Sequence, residues 1–157
     1  MSGSLILLTG ATGFVGFKTL VTALEHGYSV RAAVRSDNKA ETVRSNPKLK
    51  NFGENQLSFV VVPDFLLDGA FDEAVRGVKF VVHVASPIQG PGVTDDHDLH
   101  AEFIRPAIQG TLGVFRSAQK DGGVERIVIT SSAAAIVPGE PMAPESFFLF
   151  QLTNCVQ

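Results

Sequence analysis

Residues 9–16 read TGATGFVG, which spaces three glycines as G-x-x-G-x-x-G. The apolar run Leu5–Thr9 before them predicts a buried strand, and the apolar residues of Phe14–His26 after them recur at helical spacing. Glycines in a turn from strand to helix permit a sharp bend, a close approach of pyrophosphate to the backbone and tight packing of the helix. The free N–H groups of the helix N-terminus also attract phosphate. The stretch therefore predicts a dinucleotide-binding site.

These glycines allow two other interpretations. Glycines at this spacing are also compatible with tight packing alone. A P-loop requires G-x-x-x-x-G-K-[ST], whereas here Phe17 separates Gly16 from Lys18 and moves the lysine one step around the helix. We therefore favour dinucleotide binding over nucleotide hydrolysis.

Short apolar runs alternate with helix-like segments along the rest of the chain. They are rich in Val, Ile and Leu without polar alternation, which is typical of strands covered on both faces of a parallel sheet. This order predicts right-handed crossovers and a doubly wound α/β fold. The predicted strands after the first are Ser29–Arg35, Leu57–Val62, Phe80–Ala85 and Arg126–Ser131.

Three further helices are predicted, over Asp37 to about Lys50, Gly69–Arg76 and Asp95–Gln119. Pro106 lies inside the last of them, where proline breaks the hydrogen-bond pattern, so we expect a bend or a helix start there. Gly27 is expected to end the first helix in a left-handed conformation.

The composition excludes several classes of protein. The chain has 157 residues, 45% of them hydrophobic and 18% charged, and a net charge of −3, which predicts one globular domain without a nucleic-acid partner. The N-terminal apolar run is shorter than the roughly 7–15 residues of a signal peptide. No run approaches the roughly 20 residues of a membrane span. Cys155 is the single cysteine, which fits a reducing compartment. We therefore expect a cytoplasmic protein with no membrane partner.

The end of the second predicted strand reads AVRS and bears on the choice of dinucleotide. An NAD site places an acidic residue there for the ribose 2′-hydroxyl, whereas the planar fork of Arg35 suits a 2′-phosphate. Lys39 is a second candidate contact. NADP is therefore favoured over NAD, with a solvated arginine at a strand end as the alternative.

Other polar residues point less clearly to chemistry. His83 lies in an apolar strand, where a hydrogen-bonded core histidine is more common than a catalytic one. An acidic helix N-terminus explains the one metal-like cluster better than a metal site does, because zinc needs three or four ligands in a supporting context. That cluster consists of Asp95, Asp96, His97, Asp98 and His100.

Five motifs in order are similar to the extended short-chain dehydrogenase/reductase family, also called the NAD-dependent epimerase/dehydratase superfamily. They are TGATGFVG, GYSVRAAVRS, VVPDF, VVHVASP and RIVITSSAA, and the similarity covers about residues 4–137. The chain most resembles the branch of dihydroflavonol-reductase-like proteins and fungal aldehyde/ketone reductases. The resemblance implies a Rossmann-type sheet in a domain of residues 1–137, bound NADP, and reduction of a small or aromatic carbonyl substrate. We expect residues 138–157 to be an atypical C-terminal tail.

The resemblance also implies roles for individual residues. Ser132 matches the catalytic serine, which hydrogen-bonds the substrate carbonyl. The implied cofactor contacts are Gly10, Thr12, Gly13, Phe14, Val15 and Gly16 in the glycine loop, Arg35 and Lys39 at the 2′-phosphate, Asp64 and Phe65 at the adenine, Val84, Ala85, Ser86 and Pro87 beside the adenine ribose and nicotinamide, and Thr130 and Ser131 at the nicotinamide.

The chain departs from the family in its catalytic acid. The family uses a Y-x-x-x-K motif after the serine, in which tyrosine protonates the carbonyl oxygen and lysine lowers its pKa. Here Tyr28 is the only tyrosine and Lys120 the last lysine. We therefore expect a truncated reductase without a substrate lobe that binds NADP and has weak or no activity. A non-catalytic nucleotide-binding or regulatory protein, or a truncated gene-model product, is the alternative.

An incomplete sheet of about five strands would leave its last strand unpaired on one side. Unpaired backbone beside apolar side chains favours association with other chains. We therefore expect self-association through this edge, or through the long helix that carries Gly110 and Gly113.

Overall fold

The computed structural model describes residues 3–87, 101 and 104–131. In these residues, the strands are β1 (Leu5–Thr9), β2 (Ser29–Val34), β3 (Leu57–Val61), β4 (Phe80–His83) and β5 (Arg126–Ile129). The helices are α1 (Phe14–Glu25), α2 (Asp37–Arg44) and α3 (Arg105–Asp121), with a short 3-10 turn at Pro47–Leu49.

The strands form one parallel sheet in the order β3-β2-β1-β4-β5. β1 is central, and its Leu7 pairs with Arg31 on one side and Val81 on the other. The chain builds outward from β1 to β3 and then returns to the other side of β1, so the order reverses between β1 and β4. Ligands of such sheets bind at the carboxyl ends of the strands at this reversal. The predicted doubly wound Rossmann-type fold is confirmed.

Both faces of the sheet are covered, which explains the apolar runs. Leu8 packs with α1 residues such as Leu20 on one face, whereas its neighbour Leu7 packs with Phe71 and Val114 on the other. All five side chains are at most 1% exposed. Burying a side chain of this size contributes about 1.5–3 kcal/mol, so the two faces together hold the helices on the sheet.

The predicted helix over Gly69–Arg76 is wrong, because this segment forms consecutive turns. Asp72 N–H bonds Gly69 O at 2.9 Å, and Gly69 has a φ of +73°. The segment is held by α3 instead: Ser117 Oγ donates to the Asp72 carboxylate at 2.7 Å, and Lys120 bonds the same group. The hydrogen bond from Lys120 is the main cause that lowers the pKa of Asp72.

The second predicted helix is shorter than expected, because α2 ends at Arg44. Asn46 precedes Pro47 and is extended, with a ψ of 129°. The ring of a proline disfavours the helical conformation in the residue before it, which explains the break.

The α-helical part of α3 begins at Arg105 and has Pro106 in its first turn. Ile104 before it is π-helical, with a φ of −66° and a ψ of −52°, so the helix changes its geometry near Pro106 and does not begin there. Proline is tolerated there because its missing N–H has no helical partner. Gly27 follows His26, the C-cap of α1, and has a φ of +81°, the left-handed conformation predicted for it.

Several predictions lie outside the described residues. These concern the acidic cluster at residues 95–100 with the predicted first turns of its helix, Ser132, Cys155 and the tail at residues 138–157. Within the described ranges, every helix is too short or too polar to cross a membrane.

We predict that the 157-residue chain self-associates through β5. In the described part of the chain β5 pairs with β4 alone, and Val128 and Ile129 are 51% and 40% exposed. A charge on such an edge opposes pairing with another strand, so Val128→Lys should reduce the mass measured by light scattering at high protein concentration. Asn38→Lys, which adds the same charge to exposed α2, should leave the mass unchanged. A wild-type chain that is monomeric at every concentration would contradict this prediction.

Candidate functional site at the glycine loop

The glycine loop lies against the end of β4. Gly10 follows β1 directly and has a φ of +79°, which L-amino acids with side chains rarely adopt. A Cβ at Gly10 would lie 2.8 Å from Ala85 N and 3.0 Å from the carbonyl carbon of Val84. Glycine is therefore required here by both its conformation and the space available.

The first turn of α1 sits on the same loop. A Cβ at Gly16 would lie 2.0 Å from Gly10 O, and Gly13 N–H donates to that oxygen at 3.0 Å. At Gly13 itself an added Cβ would meet only Gly10 O, at 3.5 Å. Gly10 and Gly16 therefore bring the backbones together, whereas Gly13 leaves space beside the helix N-terminus.

That N-terminus has free donors. The first helical hydrogen bond runs from Phe17 N–H to Gly13 O at 2.8 Å, so the N–H groups of Phe14, Val15 and Gly16 have no partner within the helix. Gly13 at the N-cap position provides no capping side chain. These three N–H groups, together with the positive end of the helix dipole, form an anion-binding arrangement.

A cavity of about 600 Å³ runs along this loop, within the roughly 300–1,000 Å³ of small-molecule and cofactor sites. In the described residues its charged lining side chains are Arg35 and Lys39, both basic and both exposed. Its lining comprises Gly10, Thr12, Gly13, Phe14, Val15, Gly16, Ala33, Val34, Arg35, Lys39, Phe65, Val84, Ala85, Ser86 and Thr130. The structure thus brings thirteen predicted cofactor residues together and adds Ala33 and Val34.

A second cavity of about 290 Å³ adjoins the first and shares with it Arg35, Phe65, Ala85, Ser86 and Thr130. Asp64 and Pro87 line this second cavity. Asp64 Oδ1 accepts the N–H of Leu66 at 2.8 Å, which fixes the turn after β3. Ser131 is exposed and lines neither cavity, and Ser132 lies outside the described residues.

His83 is a hydrogen-bonded core residue, as its apolar context predicts. It is 4% exposed, and its Nδ1 lies 2.9 Å from Thr9 Oγ1. Burial lowers the pKa of His83 below its ordinary value, so the ring is neutral at pH 7. His83 also lines the second cavity.

Across residues 3–87, 101 and 104–131, no three His, Cys, Asp or Glu side chains come together as a metal site.

Comparison with known proteins agrees with this geometry. The model of the NAD dependent epimerase/dehydratase family matches residues 6–149. The ketoreductase CTB6 of Cercospora nicotianae is 42% identical over 139 residues, which are 87% of this chain and 38% of that protein. The NAD-dependent epimerase/dehydratase ALT6 of Alternaria alternata is 46% identical over 137 residues, which are 85% of this chain and 38% of that protein.

A solved structure shares the fold. The structure of Gre2 from Candida albicans in complex with NADPH superposes with a TM-score of 0.77 at 33% sequence identity. The match covers 90% of this chain and 41% of that one. The chain thus spans about two fifths of the length of these relatives.

We predict that Gly13 and Gly16, at the start of α1, differ in their effect on stability. In Gly16→Ala the new Cβ would overlap Gly10 O, and overpacking of this kind costs about 1–3 kcal/mol. Gly13→Ala meets only an ordinary contact and loses only the advantage of glycine over alanine at an N-cap, so it should cost less, at most about 1 kcal/mol. Because the chain lacks tryptophan, urea unfolding followed by far-UV circular dichroism is the suitable measurement. Equal unfolding free energies for both variants would contradict the close approach of α1 to Gly10.

Proposed function

The chain belongs to the NAD dependent epimerase/dehydratase family, and on that premise we propose that it binds NADP(H) along its glycine loop. The observation that carries the proposal is the set of free N–H groups of Phe14, Val15 and Gly16 beside two basic side chains in one cavity. The open space beside Gly13, where an added Cβ would meet only Gly10 O at 3.5 Å, supports close approach of a ligand to this backbone. Pyrophosphate is the part of the cofactor that suits these N–H groups.

The preference for NADP over NAD rests on the end of β2. Arg35 follows β2 directly and, with Lys39, contributes the charge of the cavity in the described residues. A guanidinium group can bind a phosphate with two parallel hydrogen bonds, whereas a ribose hydroxyl would be bound best by a carboxylate. We assign the 2′-phosphate to Arg35, with Lys39 as a second cation in the first turn of α2.

The remaining contacts follow from the two adjoining cavities. The turn with Asp64 and Phe65 lines the second cavity, which suits the adenine. Thr130 lines both cavities and continues the pairing of β5, since its N–H donates to His83 O at 3.0 Å. We place the nicotinamide side of the cofactor near Thr130 and Ser131, with residues 84–87 between the two ends.

The reaction we propose is reduction of a carbonyl group, for which bound NADPH supplies the hydride. Ser132 is the residue of this chain assigned to hold the carbonyl oxygen through a hydrogen bond from its hydroxyl. The same oxygen must also receive a proton. Tyr28 is badly placed for that task, because it precedes β2 and lies at the amino ends of the strands, opposite the glycine loop.

We therefore propose that the 157-residue chain binds cofactor but reduces carbonyl substrates weakly or not at all. Loss of a general acid lowers the rate by about 10²–10⁴-fold, and poor positioning of the substrate lowers it further. A non-catalytic role in nucleotide binding is the second candidate function, and the position of Tyr28 supports it.

We predict that NADPH binds and that Arg35 sets the preference for it. Because hydrogen bonds to charged groups contribute about 1.5–3 kcal/mol, Arg35→Ala should raise the Kd for NADPH about 10–150-fold and leave the Kd for NADH unchanged. Fluorescence titration of each nucleotide is the measurement. Arg76→Ala removes the same charge from an exposed pair with Glu73 and serves as the control. Absence of binding at millimolar NADPH would refute the proposed function, and an intact NADPH preference in Arg35→Ala would refute the assignment of the 2′-phosphate.

A separate prediction concerns turnover. With saturating NADPH and a panel of aldehydes and ketones, the decrease in NADPH absorbance should be at least about 10²-fold slower than for a family member that has the Y-x-x-x-K motif. Equal rates would show that another group protonates the carbonyl oxygen and would contradict the proposed loss of the acid.

A further inference from the structure

The hydroxyl group of Thr9, the residue before Gly10, takes part in three hydrogen bonds. Thr9 is the last residue of β1 and is fully buried. Its Oγ1 accepts the N–H groups of Val84 at 3.2 Å and Ala85 at 3.1 Å. The same oxygen lies 2.9 Å from Nδ1 of His83, the register partner of Thr9 in the β1–β4 pair.

A count of protons assigns the tautomer of His83. A hydroxyl group has two lone pairs and one hydrogen, and the two N–H groups of Val84 and Ala85 occupy the lone pairs. The remaining hydrogen must therefore be donated to His83 Nδ1. That nitrogen can accept only when it carries no proton, so the proton of the neutral ring is on Nε2.

These bonds determine where the glycine loop lies relative to the segment after β4. Thr9 holds Val84 and Ala85 at the point where Gly10 has no room for a Cβ, which would lie 2.8 Å from Ala85 N. Gly10 O in turn accepts Gly13 N–H at 3.0 Å. Val84, Ala85, Gly10 and Gly13 all line the 600 Å³ cavity, so a shift at Thr9 changes the shape of that cavity.

We propose that Thr9 and His83, in its Nε2–H form, are positioning residues for the cofactor site, which they shape without contacting the pyrophosphate themselves. This inference rests on the proposed binding of NADP(H). It explains why a polar pair is buried in an otherwise apolar region of the sheet. In the described part of the chain, Thr9 and His83 are two of the three buried polar residues.

Protonation of His83 would disrupt this arrangement. The charged ring would present Nδ1–H to a hydroxyl oxygen whose lone pairs are both in use, so one of the three bonds must break. The charged residues that line the second cavity with His83 in the described ranges are Arg35 and Asp64, while the parts of α3 and β5 that line it are uncharged. Burial is the cause that lowers the pKa of His83 from 6.5. Affinity for the cofactor should therefore be constant near neutral pH and fall as the pH drops through this lowered pKa.

Four variants separate positioning from simple loss of packing. Thr9→Val removes the hydroxyl and keeps the shape, whereas Thr9→Ser keeps the hydroxyl. His83→Leu removes the acceptor, whereas His83→Asn places an amide oxygen near the position of Nδ1 and does not titrate. We expect the Kd for NADPH to rise at least about tenfold in Thr9→Val and His83→Leu, since an unsatisfied buried group costs about 1–3 kcal/mol. Thr9→Ser and His83→Asn should stay within about threefold of the wild type.

The pH profile provides a readout that a packing role would not change. Titrating NADPH from about pH 5 to about pH 8 should show a loss of affinity at acid pH that is larger in the wild type than in His83→Asn. The 2′-phosphate of NADPH titrates in both proteins, so the difference between their profiles isolates His83. Identical profiles, or wild-type affinity in Thr9→Val, would overturn the positioning role.

The tautomer can be tested without cofactor or substitution. Nitrogen-15 spectra of the imidazole side chains in the wild-type chain should show His83 with the proton on Nε2 at neutral pH. A protonated Nδ1 would overturn the inference even if every variant failed to fold. A wild-type chain that has the expected tautomer but binds no NADPH would instead overturn the proposed function, and the positioning role with it.

Discussion

The contact between Gly10 and the backbone of Val84 and Ala85 is the constraint on which the site depends. Parallel pairing of β1 with β4 brings the carboxyl ends of these strands side by side, and the chain turns away from the sheet at both ends. With 2.8 Å between an added Cβ at Gly10 and Ala85 N, only glycine allows this approach. Gly16 then sets α1 on the same turn, so the free N–H groups of the helix face the reversal point of the sheet.

Much of the sheet could be predicted because the information is local. Strands β2 to β5 begin where their apolar runs predict and end one or two residues earlier. Burial on both faces makes these runs almost continuously apolar, which is a strong signal. The predicted helix from Gly69 to Arg76 was wrong because contacts distant in sequence fix this segment. Its conformation depends on Asp72, which is bonded by Ser117 and Lys120 of α3, more than forty positions away along the chain.

The site residues could also be predicted where the information is local in the sequence. The glycine loop and Arg35 each follow a strand, and position after a strand is visible in the sequence. The hydrogen bond between Thr9 and His83 joins residues 74 positions apart. It forms because the parallel register of β1 and β4 places these two residues opposite each other. The sequence around either residue does not show which residue of the other strand it will pair with. Ala33 and Val34 were missed because only the charged residue of the stretch AVRS, Arg35, was predicted to contact the cofactor, although both apolar residues also line the cavity.

The net charge of the whole chain does not predict the charge at the proposed cofactor site. The net charge is −3, which by itself would disfavour an anionic cofactor with several phosphate charges. Exposed charges separated by more than about 8–10 Å are largely screened at physiological ionic strength, so nearby groups dominate. Near the glycine loop those groups are Arg35, Lys39 and the positive end of α1. All three follow the carboxyl ends of β1 or β2 along the chain. The sheet therefore places positive charge at the carboxyl ends of its strands, although the protein is negative overall.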